Sequence, residues 1–247
     1  MSVRSVFRSC LMLAFLLAAC ARGDSPQAPV SQCAHQRFEN AGFIVCSPPA
    51  GATLKLFAAD RKQSPRRRFK DLGLGDSAVA FAMNAGMFGL DGRPIGLAIV
   101  DRKPVHAINL RDGGGNFHLK PNGVFMVRQD GRAQIVESSR FRTSSDIILA
   151  TQSGPMLILG GQIHPKFDAD GESHNMRNAV GIDPRGKPLF VITEDPVSLG
   201  KMARFFRDQL HVRDALYFDG SVSSLWDPAN GRMDDFTDLG PIIVALR

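Results

Sequence analysis

The residues best placed to do chemistry lie in one short stretch, Arg213 to Trp226. Ala215, Leu216, Tyr217 and Phe218 form an apolar run that Asp219-Gly220-Ser221 ends abruptly, ahead of two more hydroxyls, Ser223 and Ser224. Such a run reads as a buried strand. A carboxylate at its end, followed by a glycine that lets the backbone turn, is one way to hold an acid or base at a cleft. Asp-Gly-Ser is also ordinary turn chemistry, so the rest of the chain has to decide.

Four further polar blocks sit where apolar strands begin or end. Asn84-Ala85-Gly86 follows Ala78 to Met83, and Pro121-Asn122-Gly123 leads into Val124-Phe125. Thr151-Gln152-Ser153-Gly154 precedes Leu157-Ile158-Leu159, and Arg177-Asn178 leads into Ala179-Val180. Each block alone reads as a turn. Uncharged amides recurring with one arginine at strand ends point instead to a shared polar pocket. Its candidate members are Asn84, Gly86, Asn122, Gln152, Ser153, Asn178, Gly220, Ser221 and Ser223, with Asp219 and Arg177 as the charged pair. Glu194, which ends Ile192-Thr193, is a second candidate carboxylate, although a charge just ahead of Ser198 also suits a helix start. His164 and His174 flank a polar loop and read as general-acid candidates or as surface residues.

The elements that must position these residues are mostly short strands. Thr53 to Ala58, Ala78 to Met83, Gly96 to Asp101 and Ile242 to Leu246 have strand composition. Val124 to Arg128 and Ala133 to Glu137 flank Gln129-Asp130-Gly131-Arg132, a hairpin signal. Asn178 to Asp183 and Pro188 to Glu194 flank Pro184-Arg185-Gly186-Lys187, a second one. A helix is expected from Ser198 to Leu210, with Ser198 as N-cap and Leu199, Met202, Phe206 and Leu210 on one face. A second is expected over Thr143 to Leu149. The pattern predicts an α+β fold: a mixed, mainly antiparallel β-sheet core with a few flanking helices, in a single domain.

The N-terminal end carries an export address. Arg4 and Arg8 precede the apolar Leu11 to Leu17, and Leu17-Ala18-Ala19-Cys20 supplies small residues before a cysteine. Residues 1–19 therefore read as a signal peptide. Leu-Ala-Ala-Cys resembles the bacterial lipobox, which implies lipidation at Cys20. Ala21 is not Asp, which by the same resemblance places the protein on the periplasmic side of the outer membrane. Residues 20–32 are rich in small and polar residues and read as a tether; residues 33–247 form the domain. In an oxidising periplasm Cys33 and Cys46 are expected to pair, a short loop whose closure contributes about 3 kcal/mol.

Several functions are excluded. The formal charge of +6 falls to +4 without Arg4 and Arg8. The basic residues gather in Arg61-Lys62 and Arg66-Arg67-Arg68 with no interleaved aromatics, so no nucleic-acid partner is expected. Gly181 to Lys187 approaches a P-loop, but Pro188 replaces the hydroxyl residue. His118-Leu119-Lys120 and His164-Pro165-Lys166 start a His-x-Lys pattern that Phe125 and Gly171 fail to complete. There is no Gly-x-Ser-x-Gly elbow, no complete EF-hand loop around Asp168-Ala169-Asp170-Gly171 and no zinc motif. No metal and no cofactor are expected.

The ordered series Asn-Ala-Gly-Met-Phe (84–88), Pro-Asn-Gly-Val-Phe (121–125), Gln-Ser-Gly-Pro-Met (152–156), Arg-Asn-Ala-Val-Gly (177–181) and Tyr-Phe-Asp-Gly-Ser-Val-Ser-Ser (217–224) resembles the phosphodiester glycosidase family, in particular its compact bacterial branch. The resemblance covers residues 33–247. The branch that removes N-acetylglucosamine from a phosphodiester is glycine-richer at two blocks, where this chain has Ala85, Ser221 and Val222. The resemblance implies hydrolysis of a sugar C1–O bond whose leaving group is a phosphate monoester. Phosphate leaves readily, so one carboxylate and a phosphate clamp can replace the usual pair of acids. On this reading Asp219 is base or nucleophile at the anomeric carbon, Glu194 is the second carboxylate, and Arg177 grips phosphoryl oxygens through its planar fork. Asn84, Asn122 and Gln152 hold sugar or phosphate oxygens, helped by Ser221 and Ser223. The partners implied are a sugar-phosphodiester or envelope glycan, and the membrane through the lipid anchor. Two other readings stay open: a non-catalytic, lipid-anchored module binding a glycan or anionic polymer, and a phosphodiesterase that cleaves P–O bonds.

Overall fold

The computed structural model describes residues 30–59 and 64–247; the leader, Cys20, most of the tether and Arg61-Lys62 lie outside them. The strands in chain order are β1 (Cys33–Phe38), β2 (Ala41–Cys46), β3 (Thr53–Phe57), β4 (Val79–Asn84), β5 (Ala98–Val100), β6 (Lys103–His106), β7 (Gly123–Arg128), β8 (Ala133–Glu137) and β9 (Ile147–Ser153). There follow β10 (Met156–Leu159), β11 (Gln162–Ile163), β12 (Asn178–Ile182), β13 (Pro188–Thr193), β14 (Asp214–Tyr217), β15 (Leu225–Asp227), β16 (Arg232–Met233) and β17 (Ile242–Leu246). They build three sheets, in the orders β1-β2-β13-β12-β14-β10-β11, β16-β15-β4-β17-β3 and β6-β5-β9-β7-β8.

One apolar core joins all three sheets. Ile44, Phe190 and Leu216 from the first meet Phe81, Met83 and Ile243 from the second and Phe125 and Leu149 from the third. Strand alternation then gives each sheet a second apolar face that needs its own cover. On the first sheet Phe43, Ala179, Ala215 and Tyr217 lie under α1 (Leu199–Arg204) and its extension. On the second, Trp226 and Val244 pack against Phe69, Leu72 and Leu239, and on the third Val124 and Met126 pack against Phe141.

Both expected hairpins form, β7–β8 and β12–β13. The sheets differ from the mixed arrangement expected: every named strand pairing among the described residues is antiparallel. Helix is also scarcer than expected. Ser198 caps α1 by accepting from Lys201 N at 3.0 Å. The α-helix stops at Arg204, and Phe205–Gln209 form a π turn. The widened turn brings both Phe205 and Phe206 fully into the core, with Phe205 stacked on Phe43 at 3.9 Å. Thr143 to Leu149 is not helical. Ile147 begins β9, whose Ile147 and Leu149 pair with β7 and are buried, so strand packing overrides the local pattern. A disulfide joins Cys33 to Cys46, direct partners across β1 and β2.

Candidate active site

β14 lies between β12 and β10, and its residues alternate between two layers: Leu216 and Phe218 face the three-sheet core, Ala215 and Tyr217 the layer under α1. Past Tyr217 the backbone changes partners. Phe218 N donates to Asn178 O at 3.0 Å, and Asp219 N to Ala85 O at 2.9 Å. Asp219 is thereby fixed where the first sheet meets the end of β4. Gly220–Val222 then turn once as a 3-10 segment.

A closed polar network holds this junction. Asn84 Nδ2 donates to Asp219 O at 2.8 Å, and Asn84 Oδ1 accepts from Ser224 N and from Asn178 Nδ2, both at 2.9 Å. Asn178 Nδ2 also donates to Asn84 O at 2.8 Å, and Asn178 Oδ1 accepts from Ser223 Oγ at 3.2 Å. Ser223 Oγ lies within reach of Met176 O and Gly220 O as well. These three side chains are buried. Each of their amide and hydroxyl groups meets a protein partner, which makes Asn84, Asn178 and Ser223 a framework for the junction, and the Asn84 amide keeps one N–H beyond its bond to Asp219 O.

The other side of the junction is open in its hydrogen bonding. The Asp219 carboxylate, 9% exposed, accepts from Ser221 N and Ser221 Oγ on Oδ1, and among the described residues no cation pairs with it. Burial holds its pKa above the ordinary carboxylate value, with the Ser221 bonds opposing. Arg177 is 2% exposed and, among the described residues, has no carboxylate within ion-pair distance. Its Nε donates to Val197 O at 2.6 Å, Nη1 to the Tyr217 hydroxyl at 3.0 Å and Nη2 to Ser173 O at 2.6 Å. Each nitrogen of the guanidinium thus meets a protein acceptor, which leaves Arg177 a second N–H on Nη1 and a reduced capacity for the two-pronged phosphate grip expected of it. Arg177 also packs over the Tyr217 ring at 5.5 Å and lines a surface cleft with Lys166, Glu172, Ser173 and Ser198. Gly220 has to be glycine here: a Cβ would sit 1.8 Å from the Tyr217 hydroxyl.

The remaining candidates divide. Gly86 packs against the backbone of β9, where a Cβ would lie 2.5 Å from Gln152 O. The Gln152 side chain turns away: Oε1 accepts from Leu97 N and Asn109 N at 2.9 Å each, and Nε2 donates to Asn109 O and Ser138 Oγ. Asn122 donates to Phe117 O at 2.8 Å. Both amides pin loops, and neither contacts the Asp219 cluster. Ser153 Oγ is buried with no hydrogen-bond partner, next to the segment that Gly86 touches. Glu194 stands apart, its carboxylate paired with His35 at 3.0 Å and joined to neither Asp219 nor Arg177. The physical reason is strand alternation: Thr193 turns inward to accept from Arg177 N, so Glu194 turns outward. His164 is a buried imidazole between Lys120 O and Lys166 N, its pKa lowered by burial, and His174 is exposed. No group of three His, Cys, Asp or Glu among the described residues is placed to hold a metal ion.

Sequence reasoning missed Tyr217, read only as part of an apolar run, and Ser173. The available signal was position. Tyr217 stands two residues before Asp219, which in extended chain puts both side chains on one side.

Comparison with known proteins agrees with this architecture. The sequence profile of the phosphodiester glycosidase family matches residues 77–233. The chain is 36% identical over 148 residues to the uncharacterised Escherichia coli K12 protein YigE; the match covers 60% of this chain and 58% of that protein. In structure it is similar to the pro-peptide-inhibited catalytic domain of zebrafish N-acetylglucosamine-1-phosphodiester alpha-N-acetylglucosaminidase, with a TM-score of 0.60, 16% identity and coverage of 87% of this chain and 81% of that one. A hypothetical protein from Synechocystis is similar with a TM-score of 0.55 and 15% identity, over 87% of this chain and 61% of that one. At these identities the structural likeness shows the fold. The family match extends over more than half of the chain, which belongs to the phosphodiester glycosidase family.

Proposed function

We propose that this member of the phosphodiester glycosidase family hydrolyses the sugar C1–O bond of a sugar-1-phosphodiester in the bacterial envelope. The observation that carries the reading is Asp219: a buried carboxylate that, among the described residues, has no cationic partner and one oxygen unengaged, just past the end of a central strand. Burial raises its affinity for a proton, which suits a base working near neutral pH. Water attacks C1 and gives a proton to Asp219; the C1–O bond breaks and its electron pair leaves with the phosphate monoester. The leaving group needs little protonation, so a single carboxylate can serve the reaction. The closed Asn84–Asn178–Ser223 network keeps the Asp219 backbone in place while the carboxylate works.

Hydrolysis of a sugar-1-phosphodiester in isotopically labelled water tests the reading. Label is expected in the released sugar; label in the phosphate, or no product from a folded protein, overturns it. The envelope location rests on Leu17 to Cys20. Metabolic labelling with palmitate is expected to mark the protein and to fail for Cys20→Ser.

A further inference from the structure

Tyr217 is the chain's single tyrosine, and among the described residues its hydroxyl accepts a hydrogen bond and donates none. Arg177 Nη1 donates to Oη at 3.0 Å, and the Gly220 backbone lies against the phenol, where a Cβ would sit 1.8 Å from Oη. A guanidinium has no acceptor to offer. The hydroxyl's own proton is left without an acceptor among the described residues. Tyr217 is 2% exposed, and a buried donor left unmade is costly. A scaffold hydroxyl would be closed off, as Ser223 is.

The placement of this donor is specific. Tyr217 and Asp219 project to the same side of an extended segment, with Phe218 turned into the opposite layer. The Gly220 backbone presses against the phenol so closely that no side chain fits between them. Behind Tyr217, Arg177 carries a positive charge that no carboxylate neutralises, at the wall of a surface cleft. Buried charges of this kind are ordinarily paired, and the carboxylate beside the phenol, Asp219, forms no ion pair with Arg177.

We propose that Tyr217 donates its hydroxyl proton in a hydrogen bond to an anionic oxygen of the bound phosphodiester, with Arg177 behind it as the positioning residue. The assignment rests on the phosphodiester-cleaving reading above and adds the group that recognises the phosphate. The Arg177 donor on Oη fixes the direction of the O–H and polarises it, which strengthens it as a donor. Arg177 thereby acts on the phosphate through Tyr217, which reconciles its engaged fork with an anion-binding role. As C1–O breaks, charge accumulates on the leaving phosphate and the Tyr217 bond strengthens. No proton is transferred at this step; burial, which outweighs Arg177 in setting the phenol's affinity, keeps the proton on Tyr217.

A single tyrosine makes the test direct. The full chain with 3-fluorotyrosine gives one tyrosine fluorine resonance, and inorganic phosphate is the probe. The expected result is a saturable shift of that resonance, with Tyr217→Phe weakening phosphate binding by about tenfold or more, as loss of a charged hydrogen bond requires. Phosphate binding by the wild type without a fluorine shift overturns the assignment, as does no phosphate binding at all. The fluorine readout needs no substitution, so it stands even where Tyr217→Phe fails to fold. The two readings fail separately. A protein that binds phosphate through Tyr217 but releases no sugar keeps this assignment and loses the glycosidase reading. One that turns over with Tyr217→Phe at full kcat/KM keeps the glycosidase reading and loses this assignment.

Discussion

Asn84 and Asp219 touch through one hydrogen bond, from the Asn84 amide to the Asp219 carbonyl, yet they belong to two differently built regions. On the Asn84 side, every amide and hydroxyl group meets a protein partner: Asn178, Ser223 and the Ser224 backbone complete the set. On the Asp219 side, a carboxylate oxygen, a phenol proton and a guanidinium charge are left without complements. The two regions share burial and strand-end location, so neither of those separates scaffold from site. The count of unmet hydrogen bonds does. A closed network specifies geometry, and an open one is what a ligand can complete.

The sharpest way to break this distinction is Asp219→Asn. Turnover is expected to fall by about 10²–10⁴-fold, the usual worth of a positioned base, while the melting temperature holds or rises because a buried unpaired charge is gone. A loss of stability in step with activity would put Asp219 in the scaffold. Next in size is Asn84→Ala, expected to cost about 3 kcal/mol in urea unfolding, since it strands the Ser224 N–H, the Asn178 amide and the Asp219 carbonyl.

The pH dependence separates the regions more finely. In the native state Asp219 binds its proton more tightly than in the unfolded chain. Its contribution to stability is complete below the unfolded carboxyl value and is lost as pH rises through the raised native one. The stability of Asp219→Asn relative to wild type should therefore climb across that window and flatten above it, while the wild-type rate climbs over the same window as the base ionises. Unfolding and rate profiles measured in parallel check both. The smallest effect is expected from Glu194→Gln. The pair it breaks, with His35, is exposed on both sides, so stability should move by less than about 0.5 kcal/mol and kcat/KM should not move.

Much of this was legible in the chain. The hairpins at Gln129–Arg132 and Pro184–Lys187, the Ser198 cap, the Cys33–Cys46 pair and the strand-end position of Asp219 all follow from local patterns. What was not legible depends on partners distant in sequence. Thr143 to Leu149 has enough helical character to mislead until β7 offers Ile147 and Leu149 a ladder. Gln152 reads as a pocket amide, but its carboxamide answers to Leu97, Asn109 and Ser138. Tyr217 looks apolar among its neighbours, and only the fold delivers Arg177, forty residues earlier, to its hydroxyl.

The disulfide between Cys33 and Cys46 also has a mechanical consequence. β1 is an edge strand, hydrogen-bonded on one side only, and tension arriving from upstream of Val30 would peel such a strand one bond at a time. The crosslink sits at the very first pair of that ladder. Load reaching Cys33 passes straight into β2, which is clasped by β1 and β13, so the pull is shared across the sheet before any rung opens. Ser31 bonded to Asp227, and Arg247 to Val30, add a weaker grip just ahead of it. A domain built this way resists unzipping from the Cys33 end toward Asp219.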